Sequence, residues 1–246
     1  MATVALLGTL DTKGEEYAWL LDLLHGLGVA TLAIDTGSFS TSERADISSD
    51  QVIAAAGVDA AAVRARRDRG EMMAVMGTGA AAVVRDLAEA GRIHALLAIG
   101  GSGGSSVAAP AMQALPVGFP KLLVSTMASG DVKPYVGEVD TTLMYSVVDV
   151  AGINSISAMV LGNACAAIAG MAVAHEKRLA APAGEHKPLI GVTMFGVTTP
   201  AANEARETLT GLGYEVLVFH ATGTGGRAME KLVESGLLAG VCDLTT

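Results

Sequence analysis

Leu96-Leu97-Ala98-Ile99-Gly100-Gly101-Ser102-Gly103-Gly104-Ser105-Ser106 decides the fold. An apolar run of strand length breaks into glycines and hydroxyls and then enters an Ala-rich segment, the order expected of a strand, a phosphate cradle and a helix. Glycine lets the backbone approach a ligand closely and take φ > 0, and the free N–H groups opening the next helix face an anion. A plain βα turn ending in a serine N-cap needs one glycine, whereas four of the five residues from Gly100 to Gly104 are glycine.

Outward from this stretch, Val/Ile/Leu-rich runs alternate with longer helical patterns, which predicts an α/β fold: a Rossmann-like, mostly parallel sheet with helices on both faces. Strands are expected at 3–7, 29–34, 94–99, 121–124 and 142–145. A helix is expected over 15–25, and others between 50 and 90, one of them following Met76-Gly77-Thr78-Gly79. The segment after Asp35, through Asp50, reads as a flexible insertion. A long Ala-rich helix over 152–179 is almost free of charge before His175, so it is expected to be buried on most sides, a second subunit being one way to cover it. Ala180 to Pro188 is the best linker stretch, which divides the chain into a nucleotide-binding domain over 1–181, a linker over 182–187 and a second α/β unit over 188–246. That second unit offers strands at 188–195, 215–220 and 240–244 and helices at 200–212 and 226–235, few enough to read as truncated.

The 246 residues are 51% hydrophobic and can bury a sizeable core. Gly, Asp, Lys or His interrupts every apolar run short of the ~18 residues a bilayer needs, and no basic segment precedes a long apolar one at the N-terminus, so a cytoplasmic protein without membrane partners is expected. Cys165 and Cys242 lack metal or disulfide spacing and read as buried thiols. A net charge of −9 and 4% aromatic residues argue against DNA or single strands as partners. The one basic run, Arg64-Ala-Arg66-Arg67-Asp-Arg69, is either a solvated segment or a contact for phosphate, a partner or RNA.

Every glycine-rich polar loop follows a strand, which is where ligands sit in an open parallel sheet. Gly8, Thr9, Asp11, Thr12, Lys13 and Gly14 form the first, with Asp11 able to order Mg²⁺ and Lys13 able to neutralise phosphate. Asp35 and Gly37 form the second, with Asp35 placed to meet ribose hydroxyls or to cap a turn. Gly100, Gly101, Ser102, Gly103, Gly104 and Ser105 form the cradle, and Ser125, Met127 and Gly130 follow the next strand. In the second unit Thr222, Gly223, Gly225 and Gly226 make an anion loop bracketed by His220 and Arg227, with His220 and Asp11 the candidate catalytic groups. Lys13 precedes Gly14 and Glu15, so the first loop is not a P-loop, and in Gly101-Ser-Gly103-Gly104-Ser105-Ser106 a serine, Ser106, stands where the dinucleotide fingerprint needs glycine or alanine. No Ser/His/Asp or Cys/His constellation and no carboxylate pair is legible.

Gly8-Thr-Leu-Asp-Thr-Lys-Gly-Glu15, Gly100-Gly-Ser-Gly-Gly104, Ser125-Thr-Met-Ala-Ser-Gly130, Met144-Tyr-Ser-Val-Val-Asp149 with Gly152-Ile-Asn154, and Phe219-His-Ala-Thr-Gly-Thr-Gly-Gly226 occur in this order along the whole chain. Together they resemble a family of uncharacterised bacterial and plant proteins typified by the tomato inhibitor of tobamovirus RNA replication. The resemblance implies an N-terminal region that binds ATP with Mg²⁺ and assembles as a homodimer or higher homo-oligomer; it implies no reaction. Members of the family run beyond residue 246.

Three functions are open at this point. The first is an ATP-dependent enzyme carrying out phosphoryl transfer to, or hydrolysis of, a small metabolite held between the two units. The second is a regulatory nucleotide-binding module that recognises a protein partner without turnover. The third is an NAD-dependent oxidoreductase.

Overall fold

A computed structural model describes residues 1–38, 42–181, 186–223 and 225–245. The chain divides into two compact units, Met1–Ala180 and Ala181–Thr246. Residues 182–185 of the expected linker, 39–41 of the expected insertion and Thr224 of the second-unit loop lie outside the described residues.

The first unit is a doubly wound α/β domain. Five parallel strands, β1 (Thr3–Gly8), β2 (Ala30–Asp35), β3 (Ala95–Gly100), β4 (Lys121–Ser125) and β5 (Thr142–Tyr145), stand in the order β2-β1-β3-β4-β5. β3 is buried along its whole length, as expected of a central parallel strand covered on both faces. One face packs against α2 (Ser49–Ala55), α3 (Ala60–Arg66), α4 (Arg69–Glu89) and α5 (Ser102–Ala114), through Val52, Met72, Met76, Val84 and Met112. The other packs against α1 (Gly14–Gly26) and α7 (Ser155–Ala180), through Tyr17, Leu20, Leu24, Leu161, Cys165 and Ile168. A single turn, α6 (Lys133–Val136), leads into β5.

Several expectations change. Gly77 and Gly79 lie inside α4 rather than before it, and they admit its neighbours. A Cβ on Gly79 would fall 1.9 Å from the Val52 carbonyl oxygen of α2, and one on Gly77 would fall 3.1 Å from Pro110 of α5. The described part of the 35–50 insertion is tied to β2: Asp46 Oδ2 accepts the Ala33 N–H at 2.7 Å, and the Asp35 N–H reaches the Ile47 carbonyl at 2.9 Å. α7 is long and apolar enough to cross a membrane, contrary to the reading of the sequence, but its Leu161, Cys165 and Ile168 face is core to the sheet. Within this one chain α7 keeps an uncovered side, where Met159 is 60% exposed. Cys165 is the buried thiol expected, burial pushing its pKa up to about 12, while Cys242 is only partly buried.

The second unit is a three-stranded parallel sheet ordered β7-β6-β8, from β6 (Leu189–Met194), β7 (Glu215–His220) and β8 (Gly240–Cys242), with α8 (Thr199–Gly211) and α9 (Gly225–Glu234).

Candidate functional site

In the sheet order β2-β1-β3-β4-β5 the chain runs from β1 to β2 on one side and then crosses to β3 on the other, so the connections diverge at β1 and β3, where open α/β sheets bind ligands. Tyr17 braces that divergence from below. Just past the last paired residues, Leu7 and Ala98, its hydroxyl donates to the Leu7 carbonyl at 2.5 Å and accepts the Ile99 N–H at 3.2 Å. Its burial drives the phenol pKa well above the usual range, so it stays protonated.

Above the strand ends lies a cleft of about 500 Å³. Thr9, Asp11, Thr12 and Lys13 line it from the β1 loop, and Gly101, Ser102, Gly103 and Gly104 from the start of α5. Thr36 and Ser38 come from the β2 loop and Asp149 from the loop after β5, while Arg69, Met73 and Val107 complete the wall from α4 and α5. Eight residues read from the sequence as ligand contacts thus meet in one place. Arg69 resolves the basic run: Arg64 pairs with Asp50 and Arg66 with Glu71, leaving Arg69 to the cleft. Met73 and Asp149 are not among the contacts read from the sequence, Met73 because its spacing is that of helix packing, Asp149 because the Met144-to-Asp149 motif that ends on it has no run of glycines at the strand end.

The glycine stretch is built differently from a loop cradle. Helix α5 already begins at Ser102, and none of the glycines from Gly100 to Gly104 has positive φ. Their use is close approach. A Cβ on Gly100 would lie 3.0 Å from Gly104 Cα, whereas one on Gly101 meets only Thr126 Oγ1 at 3.6 Å. Gly101 is the N-cap and has no side chain to accept a first-turn N–H, so that turn is left for another acceptor.

Asp35 is a strut and not a wall of the cleft. Fully buried, its Oδ1 accepts the N–H groups of Leu10 at 3.1 Å and Gly37 at 2.8 Å, and its Oδ2 that of Ser42 at 3.1 Å. It holds the β1 and β2 loops together, which corrects its reading as a ribose ligand. Burial raises its pKa, against the pull of these three N–H groups and with a smaller push from Asp11. Gly37 leaves room for that neighbour, since a Cβ there would lie 2.7 Å from Asp11 Cγ.

The remaining expected contacts also lie outside the cleft. Gly8 is reserved for Tyr17, whose hydroxyl lies 1.9 Å from where a Gly8 Cβ would be, and the Gly14 carbonyl accepts from Arg44. Ser105 and Ser125 are buried and bonded to each other at 2.6 Å, tying α5 to β4. Ser125 also accepts the Met127 N–H, and the Gly130 N–H closes a turn onto Met127. Lys13 lines the cleft, but its ammonium also donates to the Val150 carbonyl, and the Gly152 N–H donates to buried Glu16 at 2.6 Å. The loop bearing Asp149 is thereby strapped to the first turn of α1 and its N-cap.

In the second unit, His220 Nδ1 bonds Thr222 Oγ1 at 2.7 Å and its ring stands edge-on to Phe195 at 5.4 Å. Gly223 has φ +72°. A Cβ on Gly225 would fall 1.9 Å from the His220 carbonyl oxygen, so Gly225 serves the close start of α9, while Gly226 has open space around it. Thr193, at the end of β6, donates to Asp243 at 2.5 Å and accepts the N–H groups of Leu244 and Thr245.

The residues of the first-unit cleft fit a magnesium-bound polyphosphate. Among the described residues no group of three or more His, Cys, Asp or Glu side chains could hold a metal by itself. Magnesium needs no such cage, because it keeps waters and takes one or two carboxylates beside phosphate oxygens; Asp11 and Asp149 supply two.

Known proteins match over the full chain. The models of the N-terminal and C-terminal domains of an uncharacterised protein family (UPF0261) match residues 2–177 and 187–246. A UPF0261 protein of Clostridium tetani is 49% identical over 244 residues, covering 99% of this chain and 59% of that protein. The ToMV resistance protein Tm-1(GCR237) of Solanum lycopersicum is 38% identical over 260 residues, covering 99% of this chain and 34% of that protein. The chain therefore spans about three fifths of the length of the bacterial relatives. Among solved structures, UDP-GlcNAc 2-epimerase from Neisseria meningitidis bound to UDP-GlcNAc gives a TM-score of 0.36 at 10% identity, covering 100% of this chain and 73% of that chain, too slight a likeness to carry an argument.

Proposed function

The chain belongs to the uncharacterised protein family UPF0261, matched in both of its domain types, and from that premise we propose that its first unit is a binding site for ATP with Mg²⁺. The carrying observation is the cleft at the β1/β3 divergence, where Lys13, Arg69 and the glycine-capped start of α5 meet the carboxylates of Asp11 and Asp149. Cations and N–H groups hold phosphate oxygens, the carboxylates order a hydrated Mg²⁺ against them, and Met73 with Val107 offers an apolar surface to the rest of the ligand. When bound, the metal would supply neutralisation of the phosphate charge. Asp35 and Tyr17 act by position, one fixing the two loops and the other the strand ends.

In this reading the protein works in the cytoplasm, as a homo-oligomer, and couples its nucleotide to phosphoryl transfer or hydrolysis on a small metabolite. A regulatory module that binds without turnover is the second reading, favoured by the absence of an activated nucleophile among the cleft residues. Calorimetric titration with ATP, ADP and NAD, with and without Mg²⁺, followed by phosphate release in the longer natural chain, tests both. Phosphate release selects the enzyme, binding alone selects the module, and preference for NAD overturns both.

A further inference from the structure

Arg69 occupies a position that helix electrostatics disfavours. It is the first residue of the 21-residue α4, where the aligned peptide dipoles already present positive charge and an acidic residue is the favourable choice. Its guanidinium also leans on the start of α5, another positive helix end: a Cβ on Gly103 would lie 3.7 Å from Arg69 Nη2 and 4.0 Å from Met73 Cε. Two arginines of the same run are neutralised, Arg64 by Asp50 and Arg66 by Glu71, the latter through two hydrogen bonds of 2.8 and 2.7 Å. No carboxylate among the described residues lies within ion-pair distance of Arg69, although Asp11 and Asp149 line the same cleft. Arg69 is exposed at the wall of the cleft, and although Asp68 caps its helix end, no carboxylate among the described residues stands close enough to supply its counter-charge.

We propose that this counter-charge is the terminal phosphate of the ligand, and that Arg69 makes the cleft selective for a polyphosphate tail. The proposal rests on reading the cleft as a nucleotide site and adds which end of the nucleotide α4 receives. The planar guanidinium can take two phosphate oxygens at once, which an ammonium cannot. Lys13, on the β1 loop, is left for phosphates nearer the strand ends.

The test is calorimetry with ATP, AMP and inorganic tripolyphosphate, each with Mg²⁺, on wild type, Arg69→Ala, Arg69→Lys and the paired-arginine control Arg66→Ala. Thermal melting monitors folding. Arg69→Ala is expected to weaken ATP and tripolyphosphate at least tenfold, to leave AMP within twofold, and to melt no lower than wild type because an unfavourable charge is gone. Arg69→Lys recovers part of the loss and Arg66→Ala keeps wild-type affinity. Unchanged ATP affinity in Arg69→Ala, or equal losses of ATP and AMP, overturns the role of Arg69 while the nucleotide site stands. Wild-type binding of tripolyphosphate without ATP overturns the nucleotide reading and keeps the phosphate one. Wild type that binds neither at millimolar concentration overturns both.

Discussion

The carboxylate of Asp11 rests against the bare backbone of Gly37, so that a Cβ on Gly37 would lie 2.7 Å from Asp11 Cγ and 2.9 Å from its Oδ2. The contact joins the β1 loop to the β2 loop at the rim of the cleft. It also sets where the carboxylate can present itself to a metal.

Gly37→Ala therefore moves Asp11 without touching the core, since the obstructed atoms end an exposed side chain. The Mg²⁺-dependent part of ATP affinity should fall by about tenfold, the scale of displaced groups around a metal site. The melting temperature should change little. Calorimetry with and without Mg²⁺ separates the two effects, and an equal loss in both conditions would show that Asp11 does not serve the metal.

Gly8 and Tyr17 form a steric pair. Gly8→Ala drives a Cβ into the Tyr17 hydroxyl at 1.9 Å and is expected to cost about 3 kcal/mol or more, an overpacking penalty in a site with no space to yield. Tyr17→Phe orphans the Leu7 carbonyl and the Ile99 N–H and costs about 1–3 kcal/mol. Denaturant unfolding of Gly8→Ala in a Tyr17→Leu background should show the alanine penalty reduced by about 2 kcal/mol, a coupling typical of residues in contact. Additive costs would contradict the pairing.

The pH dependence follows from Asp35. An acid whose pKa is higher in the native state than in the unfolded chain binds its proton more tightly when folded, so its contribution is most favourable below its ordinary value of 3.8 and declines as pH rises through the raised one. Asp35→Asn lacks that slope, and it sets an amide N–H₂ against the Ser42 N–H, costing about 1–3 kcal/mol. The stability gap between wild type and variant should narrow as pH rises through this window, measured by urea unfolding. A gap that widens would mean that the three N–H groups outweigh burial.

Val147 has φ +66°, a left-handed conformation that a β-branched residue adopts only under constraint, and the Val148 N–H closes a tight turn onto the Ser146 carbonyl at 2.7 Å. Val147→Gly removes the strain at the cost of a more flexible unfolded chain, for a net gain of about 1 kcal/mol. Thermal melting reads it directly, and a loss of stability would show that the exposed valine side chain contributes more than its backbone costs.

The sheet was legible because β1 to β5 are apolar runs bounded by glycine or polar residues, and their ends shift by only a residue or so in the structure. The glycines misled where their reason was packing. Gly77 and Gly79 punctuate the sequence like a turn but admit α5 and α2, and Gly8 answers to a tyrosine nine residues on. Asp35 stands at a strand end as a ligand would, and only its three N–H partners show that it braces the loops. Arg69 sat within a charge run in which Arg64 and Arg66 pair locally, and Asp149 reaches the cleft through a strap from Lys13 and Glu16 that no local pattern records.

The most direct measurement is ATP titration of Gly101→Val beside wild type, with Mg²⁺ present. A Cβ at Gly101 meets only Thr126 Oγ1 at 3.6 Å, and a valine there stands at the start of α5 in the wall of the cleft. The expected result is a folded variant with wild-type melting temperature and no detectable ATP binding, against clear binding by wild type. Equal affinity in the two proteins would contradict the placement of the nucleotide in this cleft.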